Sequence, residues 1–305
     1  MPAAEGYQTQ VGLLVQTLPF VAAEGAFALK GGTAINLFIR DLPRLSVDID
    51  LTYLPVEDRA ASLSNIDAAM RRIARTIEAG IPRSRTQLVP LHREGSIAKI
   101  LVGASGVQIK IEVTPVMRGC VYPPEKRGVR EHVEDAFGYA EIAVVSFPDL
   151  YAGKIVAALD RQHPRDLFDV QGLLANEGIS DELRRAFIVY MLSHNRPMAE
   201  VLAPRRKDLQ HEFDTGFVGM TQDEVALDGL YAVREELISR IVGEMPEPHR
   251  RFLLSFKAGE PDWALLGVPG ADTLPAVRWK VDNLAKLPDA RRAALLADLE
   301  KVFAR

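Results

Sequence analysis

Cysteine is nearly absent from this sequence: Cys120 is the single one among 305 residues. One thiol excludes an internal disulfide and any multi-cysteine zinc site, and it fits a reducing compartment. Long apolar runs are also missing, and none approaches the roughly 20 residues that a membrane-spanning helix needs. Neither a membrane span nor a membrane partner is therefore expected. The stretch from Met1 to Gln10 lacks a basic segment followed by an apolar one, so no secretory signal is expected and the cytoplasm is the expected location. Charge of one sign is not in large excess either. A formal net charge of −4 exerts no global pull toward nucleic acid or membrane, so a polyanion would have to meet a local basic patch. His92, His132, His163 and His194 are scattered without metal-ligand spacing, which argues against a histidine zinc site. There is no Gly-x-Ser-x-Gly elbow and no Walker-type loop, because Lys30 precedes its glycines instead of following them. Internal repeats and low-complexity tracts are lacking too.

What is present suits a folded chain with a sizeable core: 48% of residues are hydrophobic and 26% charged. Apolar spacing predicts a helix over residues 8–28, interrupted at Pro19, then a short strand at 27–29, a turn at Gly31-Gly32 and a helix over 33–40. Residues 46–51 alternate, with Val47, Ile49 and Leu51 against Ser46, Asp48 and Asp50, which is the period of a strand. A helix follows at 62–79 and strands at 86–92, 97–103 and 107–114, the last two joined by a hairpin turn at 104–106. A further strand is expected at 141–145. Beyond 147 the pattern turns helical, with helices predicted over 148–159, 164–176, 181–192 and 221–242. The fold class is therefore α+β, a small mixed sheet with helices followed by an all-helical part. The boundary lies between about 146 and 180, and we set the domains at 1–172 and 173–305.

The chemistry gathers on the alternating strand. Asp48 and Asp50 project from one face, and two ionised carboxylates held together need a counter-charge. A hard cation such as Mg²⁺ takes one or two carboxylates together with substrate phosphates. Gly31-Gly32-Thr33 sits between a strand and a helix, where glycine backbone can approach a phosphate. Lys110-Ile111-Glu112-Val113 places Glu112 on the face opposite Ile111 and Val113. A third acid there would complete a two-metal site. Taken singly, each feature also has a plain structural explanation: an exposed edge strand, an ordinary turn, a solvated acid. Their joint order is far more specific. Arg44 and Ser46 flank the strand on its polar side and are secondary candidates for binding. Basic clusters, of which Arg205-Arg206-Lys207 is the densest, read as solvated helix faces that an RNA backbone could also use.

The segments Leu29-Lys30-Gly31-Gly32-Thr33-Ala34 and Arg44-Leu45-Ser46-Val47-Asp48-Ile49-Asp50-Leu51 resemble the signature of the AbiEii/AbiGii-type nucleotidyltransferase toxins, within the DNA polymerase β-like superfamily. Similar to the family as well are 149–158, around Lys154, and Arg165-Asp166-Leu167-Phe168-Asp169-Val170. Less specifically, so is 274–284. The resemblance implies a polymerase β-like domain with Asp48 and Asp50 as metal ligands and Glu112 as third acid, where family members often have Asp. It implies Gly31, Gly32 and Thr33 as a triphosphate cradle, and Lys154 and Asp166 as residues needed for activity, with Lys154 able to neutralise phosphate charge. Asp169 ranks below Asp166, because an acid in the first turn of a helix is favourable on structural grounds alone.

By the same resemblance, the cofactor is one or two Mg²⁺ ions and the donor substrate a nucleoside triphosphate. An acceptor hydroxyl would attack the α-phosphate, and the acceptor is expected to be the tRNA 3′ end, which would block translation and growth. The expected setting is a type IV toxin–antitoxin or phage-defence pair, with an antitoxin partner encoded next to the toxin. Rival readings are a nucleotidyltransferase acting on a small molecule such as an antibiotic, or on a protein, and a non-catalytic nucleotide-binding module.

Overall fold

The alternation at 46–51 becomes the central strand of a mixed sheet. In the computed structural model, which describes residues 2–92 and 94–304 and side chains from Gly6 onward, the chain divides into two compact units, Met1–Ser146 and Phe147–Arg305.

The first unit opens with helix α1 (Pro2–Ala22), which carries Pro19 inside it. Strand β1 (Phe27–Lys30) follows, then a single helical turn, α2 (Gly31–Ala34), continued by a π-helical turn at Ile35–Ile39. Next come β2 (Asp48–Tyr53), α3 (Arg59–Gly80), β3 (Arg85–Pro90), β4 (Ile97–Ala104), β5 (Val107–Arg118), β6 (Glu125–Gly128), α4 (Glu131–Phe137) and β7 (Glu141–Val144). The seven strands run in the order β3-β4-β5-β2-β1-β7-β6. β2 is antiparallel to β1 and parallel to β5, and β5 and β4 form the expected hairpin.

One face of the sheet is apolar, carrying the fully buried Ile49, Leu51, Ile100, Val102 and Ile111. Helices α1 and α3 pack on the sheet. Within α3, Ile66, Met70, Ile73 and Ile77 recur at helical spacing and are all fully buried. Asp58 caps this helix, its side chain accepting from the Ala61 amide at 2.9 Å. Asp48, Asp50, Lys110 and Glu112 alternate with the buried residues of their strands and so lie on the opposite face.

The second unit is helical: α5 (Phe147–Asp160), α6 (Pro164–Asn176), α7 (Asp181–Leu192), α8 (Met198–Leu202), α9 (Gln210–Gly216), α10 (Leu227–Ile238), α11 (Glu247–Ala258), α12 (Trp263–Leu266), α13 (Pro275–Ala285) and α14 (Asp289–Phe303). α5 packs on α6 and α7, α6 on α10, and α11 on α12 and α14. No described helix is long and apolar enough to cross a membrane.

The division after Ser146 falls at the early edge of the range read from the sequence, before residue 172. α5 and α6 join the second unit because their apolar faces pack on α7 and α10. The helix expected over 221–242 begins only at Leu227. Ahead of it the Thr221 hydroxyl donates to the Asp223 carbonyl, a local bond that competes with helix formation. The helix expected over 8–28 ends at Ala22, which frees residues 27–30 for β1. Neither β6 nor α4 was anticipated, and the Glu-Lys-Arg-Gly of β6 shows no apolar alternation.

Ile49 is fully buried on the strand between the two aspartates. Ile49→Ala is expected to cost about 2–5 kcal/mol of stability. Urea unfolding checks this, and a loss well below that range would mean that β2 is not pinned through its apolar face.

Candidate active site

β2 positions the aspartates, and its register with its neighbours decides what they face. Asp50 lies opposite Lys30 on β1 and Glu112 on β5, and Glu112 in turn lies opposite Lys99 on β4. A row of lysine, aspartate, glutamate and lysine thus crosses four strands at one level. One step along, Asp48 lies opposite Lys110. The Lys110 ammonium sits 2.9 Å from Glu112 and 3.6 Å from Asp48, and Lys99 lies 3.3 Å from Glu112.

These neighbours set the charge states. Burial pushes the Asp50 carboxyl above its ordinary range, against the pull of Lys110 and Lys30, with Asp48 and Glu112 adding to the rise. Burial likewise pushes Lys30 down, although Asp50 opposes it. For Glu112 burial works upward but Lys110 and Lys99 prevail, leaving it below the usual range. For Lys110 burial works downward but the surrounding carboxylates prevail and raise it.

The Gly31-Gly32 turn lies against this row. Gly31 has φ +79°, a left-handed conformation that favours glycine, and a Cβ there would come within 2.7 Å of the Asp50 carboxylate. A Cβ on Gly32 would lie 2.6 Å from the Arg44 guanidinium and 2.9 Å from the Ser46 hydroxyl. No side chain caps the first turn of α2.

A network of polar groups fixes the turn. Thr33 and Ser46 share a hydroxyl–hydroxyl hydrogen bond of 3.0 Å, and the Asn36 amide donates to the Gly32 carbonyl at 2.7 Å. The Arg44 backbone N–H donates to Asn36, and the Ser46 N–H donates to the Tyr7 hydroxyl. Arg44 is buried and also donates from its guanidinium to the Leu45 carbonyl. Gly31, Gly32, Thr33, Arg44, Ser46, Asp48, Asp50 and Glu112 are therefore assembled in one neighbourhood. Sequence reasoning missed Lys30, Lys99, Lys110, Asn36 and Tyr7. Of these, Lys110 was within reach, since it shares a strand face with Glu112.

The donor set suits a hard cation in part. Asp48 and Asp50 offer carboxylate oxygens from one face of the strand, the donor type a hard cation takes, and it is chiefly burial that pushes the Asp50 carboxyl up. The full trio is not gathered into a cage. Among the described residues no three acidic, histidine or cysteine side chains are arranged to hold a metal, and the Glu112 oxygens face Lys99 and Lys110.

Lys154, Asp166 and Asp169 belong to the second unit. Lys154 comes from α5, and the two aspartates, three residues apart at the start of α6, share one face. The Lys154 ammonium lies 2.8 Å from Asp166 and 2.9 Å from Asp169, and Arg161 also grips Asp166. All of this is buried except Arg161. Lys154 is thus no solvated helix lysine, and Asp169 engages it as closely as Asp166 does. Burial works to raise the Asp166 pKa, but Lys154 and then Arg161 hold it well below the usual carboxylate range.

A family model described as nucleotidyl transferase AbiEii toxin, type IV TA system, matches residues 12–283. The chain belongs to the AbiEii family. That match spans both the Asp-x-Asp strand and the Lys154 cluster. The fold of this AbiEii-family chain is similar to that of MenT4, the nucleotidyltransferase toxin Rv2826c from Mycobacterium tuberculosis H37Rv. The two are 16% identical, with a TM-score of 0.61 over 96% of this chain and 93% of that one. No curated protein sequence matches the chain. As an AbiEii-family protein it is a nucleotidyltransferase toxin, whose family implies a nucleoside triphosphate substrate and an antitoxin partner.

Lys154→Met would leave buried carboxylates short of their cation, and a loss of about 3–5 kcal/mol is expected on urea unfolding. A near-neutral result would refute the view that the pair is structural. The depressed pKa of Asp166 carries a second expectation. Its ionised form contributes stability that is complete above the unfolded value of about 4 and is lost as pH falls from there toward the folded one. The deficit of Asp166→Asn relative to the parent should be full at neutral pH and shrink below about pH 4, as unfolding midpoints across that range would show.

Proposed function

We propose that the chain transfers a nucleoside monophosphate from a nucleoside triphosphate to the hydroxyl at the tRNA 3′ end, with Mg²⁺, and so blocks translation and growth. The observation that carries this reading is the meeting of the Asp-x-Asp strand with the Gly31-Gly32 turn at Asp50, whose carboxylate a Cβ on Gly31 would strike. Asp48 and Asp50 would hold the ion, and Glu112 would join them as third acid by exchanging its lysine partners. Bound there, Mg²⁺ would neutralise charge on the triphosphate and favour attack on its α-phosphate, with pyrophosphate leaving.

The chain's own residues do the rest by position and charge. The uncapped amides at the start of α2 and the Thr33 and Ser46 hydroxyls are the donors proposed to bind the triphosphate, with Gly31 and Gly32 letting it approach. Arg44 lies beneath Gly32 and supports the turn. Lys110 and Lys99 supply positive charge beside the carboxylates, where a polyanionic substrate needs it. Lys154 and Asp166 are proposed as residues required for activity. With its ammonium committed to two aspartates, Lys154 is better suited to holding that cluster than to meeting phosphate directly. A cytoplasmic setting and a role in phage defence go with this reading.

Each α-labelled nucleoside triphosphate, incubated with total bacterial tRNA, Mg²⁺ and the protein, tests it. Label on RNA is expected from the parent and a loss of at least about 100-fold from Asp50→Ala, on the scale of removing one strong transition-state interaction. Label on no RNA, with the nucleotide still bound, would overturn the tRNA assignment in favour of a small-molecule or protein acceptor.

A further inference from the structure

The end of α10 departs from the α-helix. Ser239–Gly243 widens into a π-helical turn, and α11 starts only after Pro246. A π turn loosens the helical ladder, and here the Arg184 guanidinium takes up the carbonyls of Arg240 and Ile241 at 2.9 and 2.7 Å. Such turns recur at functional sites. The other described one, Ile35–Ile39, follows directly on the glycine turn.

The widened turn forms one wall of a cavity of about 440 Å³, which the end of α8, Arg250 of α11 and the last residues of α14 complete. All of these belong to the helical unit. The size suits a small molecule, whose sites run from ~300 to ~1,000 Å³. With ~30 Å³ allotted to each heavy atom, as for a liquid water, it has room for roughly fifteen. Leu202 and Val242 are buried in its wall, and Ile238, Val302 and Phe303 are half-buried there. Glu235 and Ser239 are exposed and so stand at its mouth.

The polar groups of the lining are unevenly satisfied. Arg234 is buried and donates to Gln162, Glu235 and the Pro204 carbonyl, so this arginine and this glutamate answer each other. Arg250 forms no ion pair among the described residues. Its guanidinium donates from Nε to the Met245 carbonyl and from Nη2 to the Gly243 carbonyl, both at 2.9 Å, and lies over the Phe303 ring. A guanidinium has five N–H donors, so three are left over. Among the described residues the Ser239 hydroxyl, on the same lining, has no hydrogen-bond partner either.

We propose that this cavity binds a small apolar monocarboxylate, with its carboxylate on Arg250 and Ser239 and its hydrocarbon body against Leu202, Ile238, Val242 and Phe303. One carboxylate matches the one unanswered cation, and its two oxygens suit the planar guanidinium. A dianion such as phosphate would bring more charge than the lining balances and would leave the apolar wall unused. A neutral apolar molecule would leave the donors of Arg250 idle. The site shares no residue with those assigned to nucleotidyl transfer and does not rest on that assignment.

The test titrates the full chain, free of Mg²⁺ and nucleotide, with phenylbutanoate, phenylbutanol and phenylbutylammonium, which share a body and differ in the head group. Affinity is read by calorimetry and stability by thermal unfolding. Phenylbutanoate is expected to raise the melting temperature of the parent and to bind at least about 10-fold more tightly than the other two, on the scale of a hydrogen bond to a charged group. Arg250→Met should bring phenylbutanoate down to the affinity of phenylbutanol while phenylbutanol binds as before, which shows in the same variant that the cavity is intact. Ser239→Trp, at an exposed position on the mouth, should obstruct the cavity and weaken both, and it guards against misfolding of the first variant. A parent that does not bind phenylbutanoate, or one whose affinity for it is unchanged in both variants, would overturn the proposal.

Discussion

Two carboxylates two residues apart on one strand repel each other, and the sheet surface around β2 is arranged to contain that repulsion. Cross-strand register does the work. β1 brings Lys30 level with Asp50, β5 brings Lys110 level with Asp48, and β4 brings Lys99 level with Glu112. A slip of one residue in β2 would turn Asp48 and Asp50 into the apolar layer and bring Ile49 out. The fully buried side chains of Ile49 and Leu51 forbid that slip, so the packing beneath the sheet holds the charges in place above it.

Burial pushes Asp50 above its ordinary range, although Lys110 and Lys30 pull the other way. Under the proposed function, a cation arriving with a polyanion would find carboxylates in the middle of this face and lysines at its margins. The positive ion would settle on the aspartates while the phosphates meet the lysines. On that proposal a local arrangement, and not the net charge of −4, would receive the triphosphate. The helical unit treats its Lys154 cluster differently: there the charges are buried and closed on one another, which favours a fixed geometry over ligand exchange.

Period-two alternation made Asp48, Asp50 and Glu112 legible before any coordinates, since it assigns each residue to a face from its immediate neighbours. The same rule could not say which strands adjoin. β2 pairs with β5 across more than fifty residues of chain, and so the lysines that answer the carboxylates stayed hidden. Lys154 was visible as a family position but not as a buried residue, because its burial comes from the fold of α5 against α6 and not from its own helix. β6 carries charged residues throughout and offers no period to read, yet it closes the sheet edge by pairing with β7. The π-helical turn after α2 likewise has no local signature, although it places Asn36 under Gly32.

Asn36 shows why the glycine turn can serve as a binding element without being loose. Its side chain joins the Gly32 carbonyl to the Arg44 amide, and Thr33 ties the same turn to Ser46, which Tyr7 of α1 holds in turn. Glycine is the most flexible residue in an unfolded chain, so a glycine pair is rigid only where its surroundings make it so. Here the surroundings are hydrogen-bonded side chains from three separate segments. The cost of ordering the turn is met in folding and not when a ligand arrives, which is the condition for backbone amides to stabilise charge with little reorganisation. The lack of a β-carbon at Gly31 and Gly32 is then a requirement of space, because the Asp50 carboxylate and the Arg44 guanidinium already fill the positions it would take.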